Sequence, residues 1–169
     1  YFLIKNKKGK TMLQIGDLAP DFCLFNQKEK KVCLKDFENK SLILYFYPKN
    51  NTSGCTQEAV EFNDLKEDFN QLGIEIVGIS ADLVKSHAQF AKKLGLEFFL
   101  LSDEEKNVLK AYHAWQLKKL YGKEYMGIVR TTYFISPQKT ILNIWNKVRA
   151  KGHAKKVLDW AIENKALLL

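Results

Sequence analysis

Two apolar runs, residues 41–47 and 74–80, bracket a segment whose hydrophobic residues recur every three or four positions, and this pattern constrains the fold more than any other feature of the chain. An apolar run such as Leu42-Ile43-Leu44-Tyr45-Phe46-Tyr47 fits a strand covered on both faces, as in the middle of an α/β sheet. Pro48 ends it, because proline cannot donate to a sheet ladder. Between the runs, Ala59, Phe62, Leu65 and Phe69 keep helical spacing in a long helix from Cys55 or Thr56 to about residue 72, and Gly73 supplies a stop.

The alternation continues. Asp82 is placed as the N-cap of a helix whose buried face is Val84, His87, Phe90, Ala91 and Leu94, closed by Gly95. A strand at 98–101, a helix at about 104–112, a strand pair at 131–135 and 141–147 joined by a turn at 136–139, and a last helix at about 153–164 follow. Ahead of all these, Phe22, Leu24, Val32 and Leu34 alternate on either side of Asn26, Gln27 and Lys28, the pattern of a short hairpin. The order predicts an α/β chain of one domain over 12–169: a thioredoxin-like fold with a central mixed β-sheet flanked by helices and an N-terminal β-hairpin.

Composition narrows the function classes. With 46% hydrophobic and 27% charged residues in 169, the chain suits one packed core and excludes collagenous or disordered architectures. The longest apolar run is far shorter than the roughly 20 residues of a membrane-spanning helix, and the first ten residues lack the order of a secretory signal, so a cytoplasmic protein with no membrane partner is expected. Four lysines and no acids lie in residues 1–11, which precede Met12 and are expected to be a non-core extension; without them the net charge falls from +8 to +4. The remaining lysines are interleaved with acids, without the basic and aromatic clustering of a nucleic-acid groove. Three cysteines are too few for a disulfide scaffold, and with three separated histidines they form no metal-ligand spacing; no nucleotide loop occurs. No metal and no cofactor are expected.

The chemistry is carried by residues 48–58. Cys55 falls in the first turn of the long helix, where exposed N–H groups and the helix dipole favour a thiolate. The same N–H groups can donate to the oxygens of a small substrate, Thr52 can aim its hydroxyl there, and Gly54 admits close backbone approach. Taken alone, Cys55 is as well read as a small buried side chain.

Its surroundings decide. Pro48, Thr52 and Cys55 carry the spacing Pro-x-x-x-Thr-x-x-Cys, which resembles the peroxiredoxin signature, and residues 45–59 as a whole resemble the bacterioferritin comigratory protein, or peroxiredoxin Q, group. So do residues 16–22, Gly78-Ile79-Ser80, Leu101-Ser102-Asp103, residues 121–135 and residues 148–154, so the resemblance spans about 12–165. It implies a thiol-dependent peroxidase in which Cys55 attacks a hydroperoxide and becomes a sulfenic acid. Thr52 and the Cys55 N–H would donate to the peroxide, Arg130 would stabilise the thiolate, Pro48 would limit water access, and Glu58 would hold Arg130. It further implies hydrogen peroxide and organic hydroperoxides as substrates, an external thiol, with thioredoxin as the expected partner, and a monomer.

The chain also departs from that pattern. Val60 stands where many members carry a resolving cysteine, and residues 80–95 contain none. A one-cysteine cycle is therefore expected. Two alternatives stay open: Cys23 or Cys33 resolving Cys55, and Cys23 paired with Cys33 across the hairpin as a structural or secondary redox pair. A thiol–disulfide oxidoreductase needs Cys-x-x-Cys, but Glu58 occupies the second position. A non-catalytic binding or chaperone-like module has no need of Cys55, Thr52 and Arg130 together.

Overall fold

The structure, a computed structural model, describes residues 12–168, so the expected extension at 1–11 lies outside the described residues. Strands β1 (Cys23–Asn26) and β2 (Lys31–Cys33) form the expected hairpin. Asn26 makes its turn, since Asn26 Oδ1 accepts from the N–H groups of Lys28 and Lys30 at 2.8 and 3.0 Å. The chain then runs through β3 (Ser41–Phe46), α1 (Ser53–Asp64), α2 (Lys66–Gln71), β4 (Ile74–Ser80), α3 (Val84–Leu94), β5 (Phe99–Ser102) and α4 (Asn107–Ala111). It closes with β6 (Trp115–Leu120), β7 (Lys123–Ile128), β8 (Thr131–Ile135), β9 (Ile141–Trp145) and α5 (His153–Glu163).

Strands β3, β4 and β5 are parallel, β8 pairs antiparallel with β3, and β1 pairs antiparallel with β5. The resulting seven-stranded mixed sheet has the order β2-β1-β5-β4-β3-β8-β9. Its central strand β3 is buried at every residue, which is why its sequence is apolar without alternation. One face carries Leu42, Leu44, Phe46, Val77 and Tyr112; the other carries Ile43, Tyr45, Phe62, Phe90 and Val157 beneath the long helices. Tyr45 stacks on Phe62 with ring centroids 4.8 Å apart and covers Gly78, where a Cβ would stand 2.8 Å from the Tyr45 ring.

Several expectations are corrected. The single helix at 55–72 is two, broken at Leu65 (φ −97°, ψ 4°), and it starts earlier, at Ser53. Asp82 is not an N-cap: Leu83 holds that position, and the Asp82 carboxylate accepts from the Asn50 N–H at 3.0 Å and the Ser80 hydroxyl at 2.6 Å. The helix at 104–112 contracts to α4, because Lys106 takes φ 65° and the Asp103 carboxylate accepts from the Leu109 N–H at 2.7 Å. The hairpin β6–β7 was not expected; it pairs only with itself, away from the main sheet. Among the described residues no helix is long and apolar enough to cross a membrane.

Candidate active site

The site grows from the end of β3. The Tyr47 N–H still donates to Ile79 O at 3.1 Å, and the ladder stops at Pro48. Asn51 then adopts φ 66°, the left-handed region that asparagine tolerates, and turns the chain into Thr52. Thr52 is the N-cap of α1, with extended backbone at φ −86° and ψ 153°. The first turn closes with the Thr56 N–H donating to Thr52 O at 2.9 Å. The N–H groups of Ser53, Gly54 and Cys55 therefore have no carbonyl within α1 and form a donor cluster at its start.

Cys55 sits in that first turn, 1% exposed, and is the one free cysteine among the described residues. Arg130 immediately precedes β8, whose Thr131 lies opposite Phe46 of β3, so its guanidinium enters from the neighbouring strand at the same sheet edge. Arg130 Nη2 donates to Cys55 Sγ at 3.3 Å, and Nη1 donates to Glu58 Oε1 at 2.7 Å. Gly54 makes the approach possible, since a Cβ there would stand 3.1 Å from Nη2. One planar fork thus serves a sulfur and a carboxylate at once, which a lysine ammonium does not reproduce.

The electrostatics follow from burial. The Glu58 side chain is 0% exposed and that of Arg130 14%. Burial pushes Glu58 up to about 7 against the pull of Arg130. Burial also works against the charge of Arg130, but Glu58 and Cys55 outweigh it and hold the guanidinium above its ordinary value. Glu58 Oε2 is buried without a hydrogen bond, so the carboxylate is anchored through one oxygen. Removing either member of such a buried pair leaves the other uncompensated, a loss of roughly 3–5 kcal/mol.

Three expected site residues, Cys55, Arg130 and Glu58, are in direct contact. Thr52 lies one turn before Cys55 and is exposed, and Pro48 is half-buried at the head of the loop. Thr52 differs from expectation in one respect. Its hydroxyl donates to Lys49 O at 2.9 Å, so its proton is engaged and its oxygen keeps only acceptor capacity.

A bracing network was missed at the sequence level. Tyr47 Oη donates to Asn50 Oδ1 at 2.7 Å, and Asn50 Nδ2 donates to His87 Nδ1 at 2.9 Å. His87 Nε2 donates to Leu101 O at 3.0 Å, which fixes a neutral ring. Burial pushes the His87 imidazole below its ordinary value, consistent with that tautomer. Asn50 is thereby pinned by side chain and backbone, and the loop leading to Thr52 is held against β4 and α3. The only signal in the sequence was His87 on an otherwise apolar helix face. On the opposite flank, His153 Nε2 meets Thr132 Oγ1 at 2.8 Å, and burial, with Arg130 nearby, lowers it to about 4.

Among the described residues no cluster of His, Cys, Asp or Glu is placed to hold a metal ion. The arrangement sets a buried sulfur beside a fixed cation and the free N–H groups of a helix start. Known proteins resemble the chain in sequence and shape. The Bacillus subtilis protein named peroxiredoxin Bcp is 42% identical over 147 residues, covering 87% of this chain and 94% of that protein. A solved cysteine-to-serine variant of Xylella fastidiosa PrxQ superposes with a TM-score of 0.86 at 36% identity, over 92% of this chain and 98% of its own. A Xanthomonas campestris peroxiredoxin Q structure does so with a TM-score of 0.81 at 36% identity, over 85% and 91%. Residues 15–144 match the AhpC/TSA family, and with these relatives they place the chain in it: this protein belongs to the AhpC/TSA family, in the bacterioferritin comigratory protein and peroxiredoxin Q group.

Proposed function

We propose that the chain reduces hydrogen peroxide and organic hydroperoxides by a one-cysteine cycle at Cys55. The observation that carries this reading is the contact of Arg130 Nη2 with Cys55 Sγ at 3.3 Å, with Glu58 holding the same guanidinium from behind. The Cys55 thiolate attacks the terminal oxygen of the hydroperoxide, the O–O bond breaks, and the sulfur becomes a sulfenic acid. The departing oxygen leaves as alkoxide or hydroxide and takes up a proton. Charge moves from sulfur to oxygen along this path, so donors fixed around both ends stabilise the transition state more than the ground state. Arg130 and the Cys55 N–H supply those donors. Thr52 accepts the hydrogen of the peroxide and so orients it, and Pro48 shields the sulfur from water.

The sulfenic acid then condenses with an external thiol, releasing water, and a second external thiol returns Cys55 to the thiolate. Val60 on α1 and the cysteine-free α3 support external resolution. The reductant we assign is a thioredoxin-class dithiol acting on a monomeric, cytoplasmic enzyme. Peroxide consumption with a dithiol reductant tests the reading. It predicts saturable turnover in the native chain and loss of it in Cys55→Ser; turnover surviving in that variant overturns it. Oxidation by excess peroxide past the sulfenic acid, detected as irreversible loss of activity when reductant is limiting, is the further consequence of a sulfur without a nearby resolving thiol.

A further inference from the structure

Cys23 and Cys33 lie directly opposite each other on β1 and β2 and are joined by a disulfide, with Cα atoms 4.0 Å apart. Cys33 is 6% exposed, whereas Cys23 is exposed. The Leu34 N–H donates to Phe22 O at 3.1 Å beside the pair, and Leu24 pairs with Val32 on its other side, so the hairpin ladder is closed without the sulfur bridge. Phe25 lies opposite Ser102 at the end of β5, which places Cys23 beyond the carboxyl end of that strand. There it lines a cleft of about 420 Å³, with Leu24, Phe25 and Val84 as its apolar wall and Glu104 and Glu105 as its acidic one. Phe25 is 54% exposed.

We propose that the Cys23–Cys33 disulfide is a second redox site, opened by exchange with a protein dithiol that docks in this cleft. A thiolate of the dithiol attacks Cys23 Sγ, the sulfur–sulfur bond breaks, and Cys33 leaves as a thiolate that takes up a proton. The second thiolate of the partner attacks its own sulfur in the mixed disulfide and releases Cys23. Two electrons and two protons pass to the pair, the dithiol becomes a disulfide, and the reverse exchange with that oxidised partner closes the pair again. Attack falls on Cys23 because it is the exposed sulfur-bearing residue, and the ladder on both sides lets the bond open without separating the strands. The acidic wall repels small anionic thiols such as glutathione, while the apolar wall with Phe25 suits the neutral collar of a protein dithiol.

The test uses the full chain carrying Cys55→Ser, with the pair oxidised, so that only Cys23 and Cys33 report. Thioredoxin with its reductase, or glutathione, is added, and the opened thiols are counted by maleimide mass tagging over time. The proposal expects opening by thioredoxin at least tenfold faster per thiolate than by glutathione, and a monothiol thioredoxin trapped on Cys23. No opening in the folded protein, equal rates for the two reductants, or trapping on Cys33 overturns it. Substituting Glu104→Gln and Glu105→Gln is expected to raise the glutathione rate two- to threefold, and an unchanged rate removes the acidic wall from the account. The readout is independent of peroxide, so its failure leaves the Cys55 reading standing, and the converse holds.

Discussion

Cys55 opens the helix that follows β3 and Cys23 opens β1, three strands away in the sheet order, yet their surroundings treat sulfur in opposite ways. Cys55 is buried in the first turn of a helix with a guanidinium at 3.3 Å. Cys23 is exposed, bonded to the opposing strand and set in a cleft that Glu104 and Glu105 also line. The first setting holds a buried sulfur against a fixed guanidinium; the second leaves a bonded pair with one residue at the surface. In the proposed reading, attack on peroxide falls to Cys55 and exchange of an existing disulfide falls to Cys23, a division that follows from what each backbone position supplies.

The largest effect that would break this contrast is at Cys55 itself. Cys55→Ser removes the nucleophile and should lower the peroxidase rate by at least about a thousandfold, measured by peroxide consumption, whereas the Cys23–Cys33 bond stays intact on non-reducing mass analysis. Arg130→Lys keeps a positive charge but loses the fork, and should lower kcat/KM by about a hundredfold. A rate within threefold of the native enzyme would show that charge alone suffices. Gly54→Ala places a methyl 3.1 Å from Arg130 Nη2, so kcat/KM should fall about tenfold even though a helical Gly→Ala change favours the fold by up to about 1 kcal/mol. Activity loss with an unchanged or raised Tm is the signature to seek.

The two sulfur settings also differ in what they give to stability. Opening the Cys23–Cys33 pair frees a loop of sequence separation 10 and should lower the unfolding free energy by up to about 3 kcal/mol, read from denaturant midpoints of the oxidised and reduced chain. The smallest effect is a slope. Glu58 is raised to about 7 by burial, so the folded chain keeps a proton that the unfolded chain loses; that contribution is complete below the ordinary carboxylate range and is lost as the pH rises through about 7. His153, lowered to about 4 by burial, acts with the opposite sign, contributing stability above its ordinary range that is lost as the pH falls. The two partly cancel, so Glu58→Gln should steepen the loss of stability on acidification from pH 7, and an unchanged slope would place the Glu58 proton elsewhere.

Legibility in the sequence followed the reach of each interaction. The runs at 41–47 and 74–80 resolved into β3 and β4 because two-sided burial leaves a continuous apolar record. The reading of Cys55, Arg130 and Glu58 as one constellation came from spacing and resemblance, and the structure brings them together. The break at Leu65 was invisible, since no glycine or proline marks it and the apolar period continues through it. The hairpin β6–β7 was invisible for another reason: Lys118, Lys119 and Lys123 interrupt the alternation in strands that are exposed over most of their length. The links from Asp82 to Asn50 and from Asn50 to His87 join residues more than 30 positions apart, and no local pattern encodes such a pairing.

In the proposed cycle Cys55 takes the oxygen from peroxide and waits for an outside thiol. The direct measurement is the intact mass of the chain, with the Cys23–Cys33 bond closed, after one equivalent of hydrogen peroxide in the presence of a sulfenic-acid trap, followed by peptide mapping. One trapped sulfenic acid at Cys55 and an unchanged Cys23–Cys33 pair are expected. No oxygen at Cys55, or a new disulfide that includes Cys55, would contradict that cycle.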